Sequence, residues 1–306
     1  MSKLIYEIMH RENCVAQIST VGECKIYLED FMPYDLMLEE SNDFDKRIKN
    51  AMSFYSWCAS RMIPPDRTYA KEILNSIGAS QSVTDRERAQ IALSYHCLSL
   101  LDVFWVKEEN EKIRFEDINL FAHSLSNALV DIALRGHQMT VTNAHLLAND
   151  LSTGGLYPKA WVRKEDGFYL YKDGGRDAVE REVLASKICR CFDCHQVLYE
   201  QGMFENEPVS ISKIMTSQRY SLVTYAAYDV YCTNHDWNTL DKILELDAPS
   251  YYMMNILDYL VGNTDRHWEN WGLLVDNETN QPIRLHDLMT STGRFSSTTR
   301  QKAQTV

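Results

Sequence analysis

The chain has 306 residues, 45% of them hydrophobic, with no low-complexity majority, enough to bury a sizeable core and form two packed units. Its formal net charge of -12 argues against a broad nucleic-acid surface, because phosphate binding relies on clustered Lys and Arg; a local basic patch stays open. The opening Met1-Ser-Lys-Leu-Ile-Tyr-Glu7 has no signal-peptide pattern, and no stretch reaches about 18 consecutive apolar residues, so a cytoplasmic protein without membrane contact is expected.

The eight cysteines lack the regular spacing of a secreted disulfide framework, and reduced thiols are expected. Cys191-Phe-Asp-Cys194-His195 matches a short haem-attachment pattern, with Cys189 as a further soft ligand; buried helix cysteines are the preferred reading.

From the N-terminus, Leu4 to Met9, Val15 to Ile18 and Lys25 to Leu28 read as three short strands of a small sheet, with Arg11-Glu-Asn13 as a turn. Phe44 to Met62 reads as a helix ended by Ile63-Pro64-Pro65, and Asp66 caps a segment that stops before Gly78. Thr84 and Glu87 form a capping-box pattern ahead of a buried stripe of Ile91, Ala92, Tyr95 and Leu98. Asp102 to Lys107 is a further strand, and a mixed segment runs to Gly136. No catalytic constellation lies in this half, which is assigned scaffold, partner or substrate-docking work.

The second half begins near Val141. Leu151-Ser152-Thr-Gly154-Gly155-Leu is a turn ahead of a strand, able to direct backbone N–H groups of Ser152, Gly154 and Gly155 at phosphate oxygens. Lys159 to Arg163 and Phe168 to Lys172 form a hairpin around Glu165-Asp-Gly167, leaving Lys172 at a strand end where a kinase aims an amine at nucleotide phosphates. A helix follows Gly174-Gly175, with Asp177 and Glu180 in capping positions and Leu184, Ile188 and Cys191 on one face. Two acids, Glu180 and Glu182, compete for Lys172. Val209 to Met215 alternates as a strand. Asp247 and Pro249 start a helix whose apolar face is Met253, Ile256, Leu257 and Leu260.

Chemistry concentrates in Gly262-Asn-Thr-Asp265-Arg-His-Trp-Glu-Asn270-Trp-Gly272 and Leu285-His-Asp287-Leu288. Phosphoryl transfer needs a carboxylate to orient the attacking hydroxyl and oxygen ligands for Mg²⁺. Asp265 and Asn270 stand five residues apart, the separation of base and metal ligand in a kinase catalytic loop. Trp271 to Asp276 and Ile283 to Leu285 read as strands around the Asn277-Glu-Thr-Asn280 turn, returning Asp287 beside Asn270.

This run, with Asp287, resembles the catalytic and metal-binding segments of HipA-like serine/threonine kinases. The resemblance extends through Tyr157-Pro-Lys-Ala-Trp161, Phe168-Tyr-Leu-Tyr-Lys172, Glu182-Val-Leu-Ala-Ser186 and the N-terminal Arg61-Met-Ile-Pro-Pro-Asp-Arg67. It implies an α+β chain: a small N-terminal β-sheet plus helical region over 1–140, then a protein-kinase-like two-lobed domain over 141–289 with an incomplete C-lobe. Residues 290–306 are expected to be a disordered tail. It further implies ATP and Mg as cofactors, Glu182 as the partner of Lys172, and Met215 to Ser217 as the hinge lining the adenine pocket. Asp265 would act as base, and Asn270 and Asp287 as metal ligands. An antitoxin-type protein partner is implied in the same way.

Three readings follow: transfer to a protein Ser/Thr hydroxyl, a catalytically weak pseudokinase or interaction module, and a lipid kinase. Asp-Arg-His followed by Asn is also similar to phosphatidylinositol-type kinases, but no basic membrane-binding helix accompanies it.

Overall fold

The computed structural model describes residues 3–62, 84–123, 159–172, 174–204, 206–264 and 266–287. The segments carrying Ser152, Gly154, Gly155 and Asp66, and Asp265 itself, lie outside the described residues. The chain divides into two compact units, residues 1–156 and 157–306. Helix and sheet are mixed throughout, and every strand pairing in the three sheets is antiparallel.

In the first unit, β1 (Ile5–His10), β2 (Asn13–Ser19), β3 (Cys24–Ile26) and β4 (Phe104–Glu108) form a sheet of order β3-β2-β1-β4. The three expected N-terminal strands are there, and the expected strand near Asp102 closes the sheet beside β1. Ile8 and Met9, Val15 and Ala16, and Phe104, Trp105 and Val106 are buried at adjacent positions, so both faces of the sheet are covered along this stretch. Helix α1 (Phe44–Ser60) starts at Asp43, whose side chain accepts from the Lys46 N–H. Helix α2 (Asp85–Ser94) carries the predicted capping box, with Thr84 and Glu87 bonding reciprocally. It ends sooner than the expected stripe: Tyr95 and Leu98 are buried beyond the helix, while Ile91 is only half-buried. A four-residue helix, α3 (Phe115–Ile118), follows β4. Arg61 ties the unit together: it meets both Asp102 carboxylate oxygens at 2.9 and 2.7 Å and the Phe104 carbonyl at 3.2 Å, and lies over the Trp57 ring.

In the second unit, β5 (Lys159–Lys164), β6 (Gly167–Lys172), β7 (Tyr199–Phe204) and β8 (Glu207–Lys213) form a sheet of order β5-β6-β8-β7. The expected hairpin is β5–β6, and its turn uses Gly167 at φ 133°, a left-handed value that suits glycine. Helix α4 (Arg176–Cys189) packs on β7 and β8. Its N-cap is Gly175 rather than an acid, with Asp177 in the first turn and Glu180 exposed beyond it. The fully buried residues are Val179, Ala185, Ser186 and Cys189; of the expected face, Leu184 and Ile188 are half-buried, with Ile188 packed on the Ala185–Cys189–Leu257–Val261 cluster, while Cys191 is exposed and Cys194 half-buried.

The second sheet, β11-β10-β9, comprises β9 (Tyr220–Thr224), β10 (Trp271–Asp276) and β11 (Gln281–Asp287). Helix α5 (Tyr225–Asn234) follows β9 and packs on β10. Helix α6 (Thr239–Val261) packs on β11 and is kinked at Asp247, whose φ −157° and ψ 62° are non-helical. Its second half begins where Asp247 and Pro249 predict, with Asp247 Oδ1 accepting from the Ser250 N–H at 3.2 Å. The buried residues there are Met254, Leu257 and Val261; Ile256 and Leu260 point outward, contrary to expectation. From Tyr251 to Val261 this helix is apolar almost all round, so periodicity alone does not select the inward face.

Candidate phosphotransfer site

Two clusters of buried polar groups hold the described candidate residues other than Met215. The first lies between α4 and the four-stranded sheet. Lys172 ends β6 opposite Ser210 on β8, and the residue is 8% exposed. Its Nζ lies 3.3 Å from Glu182 Oε1 and 2.5 Å from the Tyr199 hydroxyl, with the Tyr199 ring centroid 4.3 Å away. Glu182 Oε2 accepts from the Ser210 hydroxyl. One turn along α4, Ser186 Oγ accepts from the Tyr199 N–H at 2.8 Å. Burial pulls the Lys172 ammonium towards the neutral form, but Tyr199 and Glu182 more than offset it, so its pKa stands above the ordinary lysine value. The choice between acids is thereby resolved: Glu182 pairs with Lys172, and Glu180 faces solvent.

The second cluster lies where α6, the 262–270 loop and β11 meet. Trp271 is the register partner of Asp287, so the β10–β11 hairpin returns Asp287 to the strand end next to Asn270. Asp287 is 3% exposed, and its backbone is held on both sides: its N–H donates to the His195 carbonyl at 3.1 Å, and its carbonyl accepts from the Val197 N–H at 2.9 Å. Arg266 is the hub. It reaches Asp287 Oδ1 at 2.7 Å and Oδ2 at 3.2 Å, Asp258 Oδ1 at 2.6 Å and Oδ2 at 2.8 Å, and the Asn270 carbonyl at 2.9 Å. Burial disfavours the guanidinium charge, yet the Asp258 hydrogen bonds and the two carboxylate charges hold its pKa above the usual arginine value. Asn263 donates to Asp258 Oδ1 at 2.8 Å, the Glu269 N–H donates to His267 Nδ1 at 3.2 Å, and the Trp268 carbonyl takes the Ala226 N–H at 3.0 Å. The loop flanking Asp265 is thus pinned to α5 and α6.

Met215, half-buried, follows β8 in the link from one sheet to the other. Asn277 braces that link: its Nδ2 donates to the Gln218 carbonyl at 3.1 Å, its backbone N–H donates to the Arg219 carbonyl at 2.9 Å, and its Oδ1 accepts from the Ser221 hydroxyl at 2.6 Å. Sequence reading treats Asn277 as a turn former; the bracing depends on a strand, β9, that it does not anticipate. Tyr199 is missed for the same reason, since β7 lacks clean alternation, whereas Ser210 lies on the anticipated Val209–Met215 strand and is an ordinary strand residue until its register with Lys172 is known. A faint signal exists in Glu182 and Ser186, polar residues at helical spacing on the face that carries Val179 and Ala185.

Among solved structures, HipA from the Shewanella oneidensis MR-1 toxin–antitoxin complex with HipB and operator DNA matches with TM-score 0.54 and 12% identity, over 93% of this chain and 76% of that one. The fold is HipA-like. A proinflammatory kinase from Helicobacter pylori, CtkA, matches with TM-score 0.36 and 19% identity over 48% of this chain, which spans 60% of that kinase's length. No protein-family model and no curated protein matches the sequence.

Proposed function

We propose that this HipA-like chain is an ATP- and Mg²⁺-dependent phosphotransferase acting on a protein Ser/Thr hydroxyl, with the two sheets of its second unit corresponding to two kinase lobes and Met215 to Ser217 to their hinge. The observation that carries the reading is the buried Lys172–Glu182 pair. Enclosing an ammonium and a carboxylate costs more than a leucine pair of similar volume, so a ligand-binding role accounts for them better than stability does. Lys172 holds phosphates, Glu182 holds Lys172, and Asp265 orients the acceptor hydroxyl. Ser152, Gly154 and Gly155 would supply backbone N–H groups to the phosphates.

Among the described residues no group of three or more His, Cys, Asp or Glu forms a metal site. One carboxylate and one amide oxygen, from Asp287 and Asn270, nevertheless fit an ion that takes its other ligands from phosphate and water, as Mg²⁺ does. Such an ion would neutralise phosphate charge.

That same Arg266 contact favours a second reading, a nucleotide-binding module of weak activity, because a guanidinium already neutralises the carboxylate that a metal would use. HipA crystallises with HipB and DNA, and an antitoxin-type protein partner is proposed here by that analogy. Thermal-shift titration with ATP, with and without Mg²⁺, followed by a transfer assay offering both protein and lipid acceptors, tests the set. ATP stabilisation with transfer to protein supports the main reading, and stabilisation without transfer supports the second. Transfer to lipid alone, or no stabilisation, overturns the main reading. Asp265→Asn should suppress transfer and leave ATP binding largely intact, whereas Asp287→Ala should weaken Mg²⁺-dependent nucleotide binding as well.

A further inference from the structure

The contact face between α4 and the four-stranded sheet is unusual in its chemistry. Helix-on-sheet interfaces bury apolar residues, yet this one encloses Lys172, Glu182, Ser186, Tyr199, Ser210 and Ser212, all except Glu182 under a tenth exposed. The register explains their convergence: Ser210 opposes Lys172 across β6–β8, and Ser212 opposes Tyr199 across β7–β8, so two serines of one β8 face stand beside the two long side chains. Glu182 and Ser186, four residues apart on α4, face this layer together.

An ammonium has three N–H donors. Glu182 takes one, and the Tyr199 hydroxyl takes a second at 2.5 Å, while the Tyr199 ring lies against the charge. We propose that Tyr199 is a positioning residue of the nucleotide site: with Glu182 it fixes two ammonium protons of Lys172 and leaves the third for a phosphate oxygen. This rests on the phosphotransferase reading and adds to it a second anchor for the lysine, on β7. A lysine held at one point can swing about that bond, even where Ser210 fixes the carboxylate that holds it; held at two, it keeps one direction for its remaining donor. Tyr199 is itself set by its backbone bond to Ser186, so α4 positions both anchors at once. A phenylalanine would fill the same space and lack only the hydroxyl, so the hydroxyl carries the role.

The test compares Mg²⁺-ATP dissociation constants for the wild type, Lys172→Met and Tyr199→Phe by calorimetry, with melting of each protein measured without nucleotide. Lys172→Met should abolish detectable binding. Tyr199→Phe should raise the dissociation constant about tenfold through the lost charge-assisted hydrogen bond to Lys172, and its nucleotide-free melting reads separately the loss of the hydroxyl's bond to Ser212. Because a buried hydroxyl deletion can also unsettle the fold, a 3-fluorotyrosine at position 199, which keeps the volume and weakens the acceptor, should give an intermediate constant. A wild-type constant in both Tyr199 variants, with binding lost in Lys172→Met, overturns the role of Tyr199 and leaves the phosphotransferase reading standing. Absence of ATP binding to the wild type, or unchanged binding in Lys172→Met, overturns both.

Discussion

Replacing Arg266 by Met removes the one cation shared by two enclosed acids. Asp258 and Asp287 side chains are 13% and 4% exposed, and the guanidinium meets all four of their oxygens. Breaking a buried ion pair by deleting one partner costs about 3–5 kcal/mol, because the remaining charge keeps its desolvation penalty. Here two carboxylates are left facing each other and the Asn270 carbonyl loses its donor, so the upper part of that range applies. For a unit of this size each kcal/mol moves melting by roughly 2–4 °C, giving a fall of roughly 10 °C or more. Differential scanning fluorimetry reads it directly. The two freed carboxylates should also take up a divalent ion, so millimolar Mg²⁺ should restore more of the lost melting temperature in R266M than it adds to the wild type. Arg266→Lys, keeping charge but not the four-oxygen reach, should fall between them. R266M melting within about 2 °C of wild type, a shift worth under about 1 kcal/mol, would refute the hub reading.

His286 is buried with neither ring nitrogen hydrogen-bonded, and burial, then the Arg284 charge, then His195, lower its pKa from 6.5 to about 4. A depressed histidine makes the unfolded state bind more protons, so its contribution is full above pH 6.5 and is lost as pH falls towards 4, roughly 3 kcal/mol in total; urea melts of wild type and His286→Gln across that window should show a flatter profile in the variant. Gly272→Ala should destabilise the β9–β10 pairing by more than about 2 kcal/mol, because the added Cβ falls 2.1 Å from the Val223 carbonyl oxygen, a clash of backbone on backbone; unchanged stability would mean the strands separate freely there. Asn277→Ala should cost about 1–3 kcal/mol through its lost bonds to Ser221 and Gln218, and should weaken ATP binding if Met215 to Ser217 line the adenine, a coupling that calorimetry on the folded variant detects.

Much of the architecture is legible locally. The β5–β6 and β10–β11 hairpins follow from alternation around Glu165-Asp-Gly167 and Asn277-Glu-Thr-Asn280, and the α2 capping box needs only Thr84 and Glu87. The hairpins alone place Lys172 at a strand end and Asp287 beside Asn270. Helix faces are harder to read. In α4 the larger apolar residues suggest a Leu184–Ile188–Cys191 face, yet Ala185 and Cys189 are buried against Leu257 and Val261 of α6, while Glu182 and Ser186 find polar partners on the sheet. Long-range polar bonds leave little periodic trace: Tyr199 stands 27 residues from Lys172, and Arg266 stands 21 from Asp287. A residue whose job is to hold another becomes visible only once the strands between them are in register.

The kink in α6 has a mechanical corollary. Asp247 caps the second half of that helix through one oxygen and accepts the Leu285 N–H at 3.1 Å through the other, while Asp258, eleven residues on, is bolted through Arg266 to Asp287. Eleven residues of helix span about 16 Å, so the segment works as a strut fastened at both ends to the strand that bears Asp287. Cutting one fastening leaves a hinge at the other, and the strut can then pivot; cutting both frees it to slide. The exposed side of this helix, at Ile256 and Tyr259, is therefore coupled to Asp287 through both fastenings.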